Sequence, residues 1–131
     1  MHITPLYAAL LALLFVGLSL RTLRLRRKLR IVIGDAGNET MLRAMRVHSN
    51  FAEYVPLSLF LILLVEVTGA SGTFVHGLGL AVLAGRVLHA WGVSQVRERF
   101  VFRVLGMFMT LAPITIAALR LLRVFAMQAL A

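Results

Sequence analysis

The side chains best suited to bind a charged ligand are Arg46, Asn50 and Glu53, which follow one another at spacings of four and three residues. In a helix these spacings place all three on one face, which Arg43 and Ser49 can join. A guanidinium, a carboxamide and a carboxylate at one level form a surface that suits a zwitterionic ligand. The structural alternative is an Arg46–Glu53 contact together with an interhelical hydrogen bond from Asn50.

A second set of candidate groups lies in the later half of the chain. Arg86 and His89 are three residues apart, so they share a helical face. Arg103 stands at the start of the last expected helix, where the positive end of the helix dipole favours anions. The alternative for the first two residues is an Arg86–Glu53 pair across the bundle, with His89 as a core hydrogen-bonding group. The alternative for Arg103 is an interfacial anchor.

The composition excludes several kinds of catalytic site. The chain has no cysteine, which rules out disulfides, iron–sulfur clusters, zinc–thiolate sites and a cysteine nucleophile. The sequence also carries no glycine-rich phosphate loop, no serine–histidine–acid arrangement and no histidines and carboxylates at metal-ligand spacing. We therefore predict no metal site, and a binding chemistry that depends on arginine, asparagine, glutamate and histidine.

Long apolar runs must hold these groups in place. Hydrophobic residues make up 60% of the 131 residues and charged residues 15%, whereas a soluble domain has about half and about a quarter. A helix needs roughly 20 apolar residues to cross the hydrocarbon of a bilayer. Four runs approach that length, at 3–20, 51–69, 74–93 and 104–119.

These runs predict an all-α, integral membrane four-helix bundle that forms a single domain over residues 1–131. A β-barrel is excluded because the runs are long and rich in Leu and Ala. The first run is interpreted as a retained helix and not a signal peptide, because the positive charges follow it. Asn38 or Thr40 is expected to cap the second helix. The expected helices span about 3–30, 41–69, 74–93 and 100–124.

The formal net charge of +9 is unevenly distributed. Eight of the 14 Lys and Arg residues lie between 21 and 46, and Arg97, Arg99 and Arg103 surround the third loop, while the second loop has none. In a soluble protein such a charge would suggest that the protein binds nucleic acid. Here the positions of the charges instead indicate how the helices are oriented in the membrane, and we predict no nucleic-acid partner. Loops rich in Lys and Arg stay cytoplasmic, so loops one and three are expected there and both termini outside.

Three charged residues remain near the outer ends of the expected helices. Arg120 and Arg123 are expected to snorkel to the interface opposite the basic loops. Glu66 lies near the outer end of the second helix and is expected to reach water.

Residues 46–56, Arg-Val-His-Ser-Asn-Phe-Ala-Glu-Tyr-Val-Pro, resemble a signature of the MAPEG family, the membrane-associated proteins in eicosanoid and glutathione metabolism. The second helix of that family carries Arg-x-His-x-Asn-x-x-Glu with a proline shortly after. Other parts of the chain are similar to the family in the same order, so the resemblance covers nearly the whole sequence. These parts are Arg24-Leu-Arg26 after the first helix, Gly85-Arg-Val-Leu-His89 on the third, and Arg103 with Gly106 on the fourth.

The resemblance implies a homotrimer in a bacterial inner membrane, with glutathione as a co-substrate bound between subunits near the cytoplasmic face. Membrane lipid and lipophilic substrates that enter from the bilayer are the other expected partners. In such a site Glu53 would hold the γ-glutamyl ammonium, and Arg103 would be the catalytic residue that stabilises the thiolate. The remaining glutathione-binding residues would be Arg24 of a neighbouring subunit, Arg46, Asn50, Arg86 and His89.

The function implied by the resemblance is that of a glutathione transferase or peroxidase-like protein acting on lipophilic electrophiles. The chain departs from prostaglandin E synthase-like members at two positions. Ser49 stands where those members have Arg, and Val93 stands where they have Tyr. These two differences favour the alternative, a non-catalytic lipid-binding or scaffold protein of the same fold.

Overall fold

The computed structural model describes residues 3–96 and 99–130, so Arg97 of the third loop lies outside the described residues. These residues form four helices, α1 (Thr4–Leu29), α2 (Glu39–Val67), α3 (Gly72–Ser94) and α4 (Phe100–Ala129). Each helix is long and apolar enough to cross a membrane. The all-α class and the four membrane helices predicted from the apolar runs are therefore confirmed.

Helix α1 continues from its apolar run into the basic segment, because that segment contains no glycine or proline. It ends where Arg30 adopts a left-handed conformation with a φ of 55°. Arg26 then orders the loop that follows, donating hydrogen bonds from Nη1 to the carbonyl oxygens of Val32 (3.3 Å) and Gly34 (3.1 Å). The first basic cluster thus belongs to a helix that extends beyond the apolar run and to the loop folded back on its end.

Helix α2 begins directly after Asn38, whose side-chain Oδ1 accepts a hydrogen bond from the backbone N–H of Met41 at 3.0 Å. This contact satisfies one of the free amides at the start of the helix, as an N-cap does. Asn38 and not Thr40 is therefore the cap, and α2 starts two residues before the expected position. Helix α4 continues past the expected end at 124 to Ala129, since no glycine or proline follows Pro113.

The closest helix pair is α3 and α4, which approach through glycines. A Cβ added at Gly106 would lie 2.6 Å from the backbone nitrogen of His89, and one at Gly85 would lie 2.9 Å from the carbonyl oxygen of Gly106. Small residues allow membrane helices to touch backbone to backbone, where dispersion and hydrogen bonds replace the hydrophobic effect. This contact holds the first turns of α4, including Arg103, against the last turns of α3.

At the end of the bundle where α1 begins and α2 ends, a carboxylate joins the two helices. Glu66 on α2 accepts hydrogen bonds from the backbone N–H groups of Ile3 and of Thr4, the latter at 2.9 Å. Helix α1 has no side-chain cap of its own, so Glu66 satisfies amides that hydrocarbon cannot solvate. Glu66 is half-buried, so the expected contact with water is compatible with a second role in which the residue joins α2 to the start of α1.

Candidate functional site

A polar cavity of about 460 Å³ opens between α2, α3 and α4 at the end of the bundle that carries the α1–α2 and α3–α4 loops. Its wall combines charged, polar and apolar side chains from all three helices. The lining residues are Glu39, Leu42, Arg43, Arg46, Ser49, Asn50, Glu53, His89, Val93 and Arg103.

Helix α2 supplies most of this wall because its polar residues recur with the helical period. Glu39, Arg43, Arg46, Asn50 and Glu53 are separated by four, three, four and three residues, so they form one continuous stripe. The stripe begins with an ion pair in which Arg43 Nη2 lies 2.9 Å from Glu39 Oε1. Because α2 begins directly after the Asn38 cap, all five polar side chains lie within the helix and line one cavity.

Five of the seven residues predicted to bind glutathione or act on it line this cavity. Arg46 and Glu53 are exposed, as is Arg103, whereas His89 is buried against the α3–α4 contact with 5% of its surface exposed. The predicted residues that lie together are Arg46, Asn50, Glu53, His89 and Arg103. One chain thus brings polar groups from three helices to a single cavity, with charged groups from α2 and α4.

Arg86 does not line the cavity but lies behind its wall, with 1% of its surface exposed. Its Nη1 donates to Asn50 Oδ1 at 2.6 Å and its Nε donates to Thr110 Oγ1 at 2.9 Å. Nη2 donates to the carbonyl oxygen of Gly106 at 3.2 Å, and the guanidinium lies 5.7 Å from the centre of the Tyr54 ring. The partners of Arg86 are therefore neutral groups, and the considered pairing with Glu53 does not form.

Arg24 is also absent from the cavity of a single chain. It is exposed on α1, a helix that packs against α2 and α3 and, within the described residues, not against α4. No residue of α1 lines the cavity. Arg24 of the same chain therefore faces a different surface of the bundle.

His48, the histidine of the α2 signature, turns away from the cavity toward α1. Its Nε2 lies 3.0 Å from Ser19 Oγ, and its ring stacks on that of Phe15 at a centroid distance of 4.8 Å. His48 accordingly joins α2 to α1, while the residues on the other side of α2 form the cavity wall.

The sequence prediction missed two residues that line the cavity, and it did not anticipate the hydrogen bonds that Arg43 makes to the end of α3. Glu39 and Leu42 line the cavity; the 4–3 spacing from Arg43 and Arg46 could have revealed Glu39, but the helix was expected to begin after it. Arg43 also donates to the carbonyl oxygens of Val93 (3.2 Å), in the last turn of α3, and of Val96 (3.4 Å), just after that helix. No local pattern encodes these bonds, because they join residues about 50 positions apart.

The arrangement suits an anionic ligand that also carries a cationic group. Three arginines and two glutamates line the cavity, and guanidinium groups bind carboxylates through paired hydrogen bonds. Arg103 lies in the first turn of α4, near the positive end of the helix dipole. Within residues 3–96 and 99–130, no cluster of three His, Cys, Asp or Glu residues could hold a metal ion.

Comparison with known proteins gives a consistent result. The model of the MAPEG family matches residues 4–123. The chain is 40% identical over 90 residues to the inner membrane protein YecN of Escherichia coli strain K12, which covers 69% of each chain. YecN of Escherichia coli O6:H1 strain CFT073 gives the same identity and coverage. No solved structure matches.

The family match, the relatives and the four helices together indicate the family of the protein and its location in the cell. The family model covers α1, α2 and α3, α4 as far as residue 123, and every residue that lines the cavity. Four membrane-length helices and relatives from the inner membrane support a multi-pass inner membrane protein. The chain belongs to the MAPEG family.

Proposed function

We propose that this protein binds glutathione in the polar cavity and joins its thiol to lipophilic electrophiles. The observation that carries the proposal is the meeting of three arginines with Glu53 at one end of a membrane bundle. Glutathione has two carboxylates, one ammonium and a thiol. A cavity with more guanidinium groups than carboxylates matches that distribution of charge.

Each lining group has a role that follows from its chemistry. Glu53 accepts hydrogen bonds from the γ-glutamyl ammonium, and Arg46 binds a carboxylate. Asn50 and His89 bind amide or carboxylate groups of the peptide. Arg103 stabilises the thiolate, which is the reactive form of the sulfur.

The chemical step is a substitution at the electrophile. The thiol proton leaves to water, and the thiolate sulfur then forms a bond to the electrophilic carbon. The bond between that carbon and its leaving group breaks, and the leaving group departs with the electron pair. Arg103 acts where negative charge resides on sulfur before the attack.

The proposal is tested with purified protein in a mild detergent. Isothermal titration with glutathione is expected to give saturable binding, and a chlorinated dinitrobenzene is expected to be conjugated with release of chloride. Absence of glutathione binding would refute the proposed function. Binding without turnover of any lipophilic electrophile would instead favour a non-catalytic lipid-binding protein, which Ser49 and Val93 in the cavity wall already suggest.

We also propose that the protein works as a homotrimer, in which Arg24 of one chain completes the cavity of the next. Arg24 is exposed on a helix that contributes nothing to the cavity of its own chain. Native mass spectrometry from mild detergent is therefore expected to show three copies, and Arg24→Ala is expected to weaken glutathione binding without changing the oligomeric state. A strictly monomeric species with full glutathione affinity would contradict this arrangement.

The orientation that we propose places the cavity on the cytoplasmic side. Eight of the 14 Lys and Arg residues lie between 21 and 46 and three more between 97 and 103, in or next to the two loops beside the cavity. Loops flanked by such a cluster of positive charge are retained in the cytoplasm. A reporter that is active only in the periplasm should therefore function when fused after the last residue of the chain, and a cytoplasmic reporter should not. The reverse pattern would place the cavity outside.

A further inference from the structure

We infer that Arg86 is a positioning residue that fixes Asn50 as a hydrogen-bond donor toward the cavity, so that the subsite at Asn50 accepts a carboxylate or carbonyl oxygen and not an ammonium. The identity of the ligand as glutathione rests on the proposed function. The contact between Arg86 and Asn50 does not, and it is tested without any ligand.

The direction of the Asn50 amide follows from the chemistry of its partner. A guanidinium has five N–H donors and no acceptor, so the group facing Arg86 Nη1 at 2.6 Å must be the carboxamide oxygen. The Nδ2 end of the amide therefore points away from Arg86. Asn50 itself lines the cavity, and its Nδ2 is the polar atom that remains to face a ligand there.

Arg86 cannot easily release Asn50, because it is held by a third helix at the same time. Its Nε donates to Thr110 Oγ1, whose hydroxyl donates in turn to the carbonyl oxygen of Gly106 at 2.9 Å. Arg86 Nη2 donates to that same carbonyl. Turning Arg86 toward the cavity would break these bonds on α4, and hydrocarbon would offer no replacement.

This network separates two subsites along α2. At Asn50 the cavity presents N–H donors, which suit an anionic or carbonyl oxygen. One turn further along the helix, Glu53 presents acceptors, which suit an ammonium. A ligand with both groups is therefore oriented by a buried residue that does not touch it.

Replacement of Asn50 by Asp tests the contact in the absence of ligand. Aspartate keeps the acceptor that faces Arg86 and turns the contact into a charge-assisted hydrogen bond. Thermal unfolding of Asn50→Asp in detergent is expected at or above the wild-type temperature. In an Arg86→Gln background the same change is expected to lower the unfolding temperature, because a half-buried carboxylate then loses the cation that faces it.

The same variant tests the donor role when glutathione is added. Aspartate cannot donate, so Asn50→Asp is expected to weaken glutathione binding about tenfold or more while the protein remains folded. Ser49→Asp is the matched control, because it adds the same charge to the neighbouring position of the cavity wall without lying in the Arg86 network. The loss in Asn50→Asp should exceed the loss in Ser49→Asp.

The outcomes separate this inference from the proposed function. If Asn50→Asp destabilises the protein equally in the wild-type and in the Arg86→Gln background, the positioning contact is refuted, whether or not glutathione binds. If the stability results hold and the wild type does not bind glutathione, the contact is supported and the proposed function fails. If the wild type binds glutathione and Asn50→Asp binds it no less tightly than Ser49→Asp, the donor role is refuted.

Discussion

Arg103→Ala is expected to slow glutathione conjugation by about a hundredfold, with a much smaller effect on glutathione affinity. Loss of one group that stabilises developing or resident negative charge in an active site has consequences of roughly that size. A free thiol has a pKa of about 8.5, and a nearby cation lowers the pKa because it stabilises the thiolate and not the thiol. Without Arg103 the pKa of the bound thiol rises, so less thiolate is present at neutral pH.

Ultraviolet absorbance of the thiolate, titrated against pH with glutathione bound, measures this effect directly. The ionisation curve of Arg103→Ala should lie at higher pH than that of the wild type. Arg103→Lys should be intermediate, since it keeps the charge and loses the planar fork. Arg99→Ala is a suitable control, because Arg99 precedes the same helix and does not line the cavity. Identical curves for wild type and Arg103→Ala would leave Arg103 only an interfacial role.

Glu53→Gln is expected to weaken glutathione binding by about ten- to a hundredfold while the protein keeps its fold and its oligomeric state. A hydrogen bond to a charged group contributes about 1.5–3 kcal/mol, which corresponds to that range of affinity. Glu53 is exposed in the cavity wall, so we expect loss of its charge to leave the fold intact. Glutamine keeps the shape of the side chain and removes the negative charge that the ligand ammonium needs.

Calorimetric titration of Glu53→Gln should be compared with Glu66→Gln, the same change at the other end of α2. Glu66 caps the start of α1 and lies far from the cavity, so its replacement should lower the unfolding temperature and leave glutathione affinity unchanged. Unaltered affinity in folded Glu53→Gln would remove Glu53 from the binding site.

The positions of the helices follow from the sequence alone. An apolar run that spans the hydrocarbon must form a helix, because only a helix satisfies its own backbone hydrogen bonds in lipid. The same period of 3.6 residues predicted the stripe of Arg46, Asn50 and Glu53 on α2, and the structure places all three in one cavity. Only the ends of helices differed: α2 begins directly after the Asn38 cap, two residues before the expected position, and α4 continues beyond 124 to Ala129.

Other features were decided by tertiary structure. The sequence offered Arg86 two partners, a ligand and Glu53, but the structure gives it Asn50, Thr110 and the Gly106 carbonyl. That choice depends on how closely α3 approaches α4, which the paired glycines Gly85 and Gly106 permit. A spacing pattern reports which side chains share a face, and it does not report which neighbour lies opposite.

Glu66 and Arg24 illustrate the same limit of local patterns. Glu66 accepts hydrogen bonds from the free amides of α1 only because the start of α1 lies beside the end of α2 in the bundle. Arg24 shares the basic character of the cavity residues, yet α1 holds it away from the cavity of its own chain. The sequence determined which segments enter the membrane and which residues share a helical face, because both depend on short-range periodicity. The packing of helices in three dimensions decided which charged groups line the cavity and which bond to neighbouring helices within the bundle.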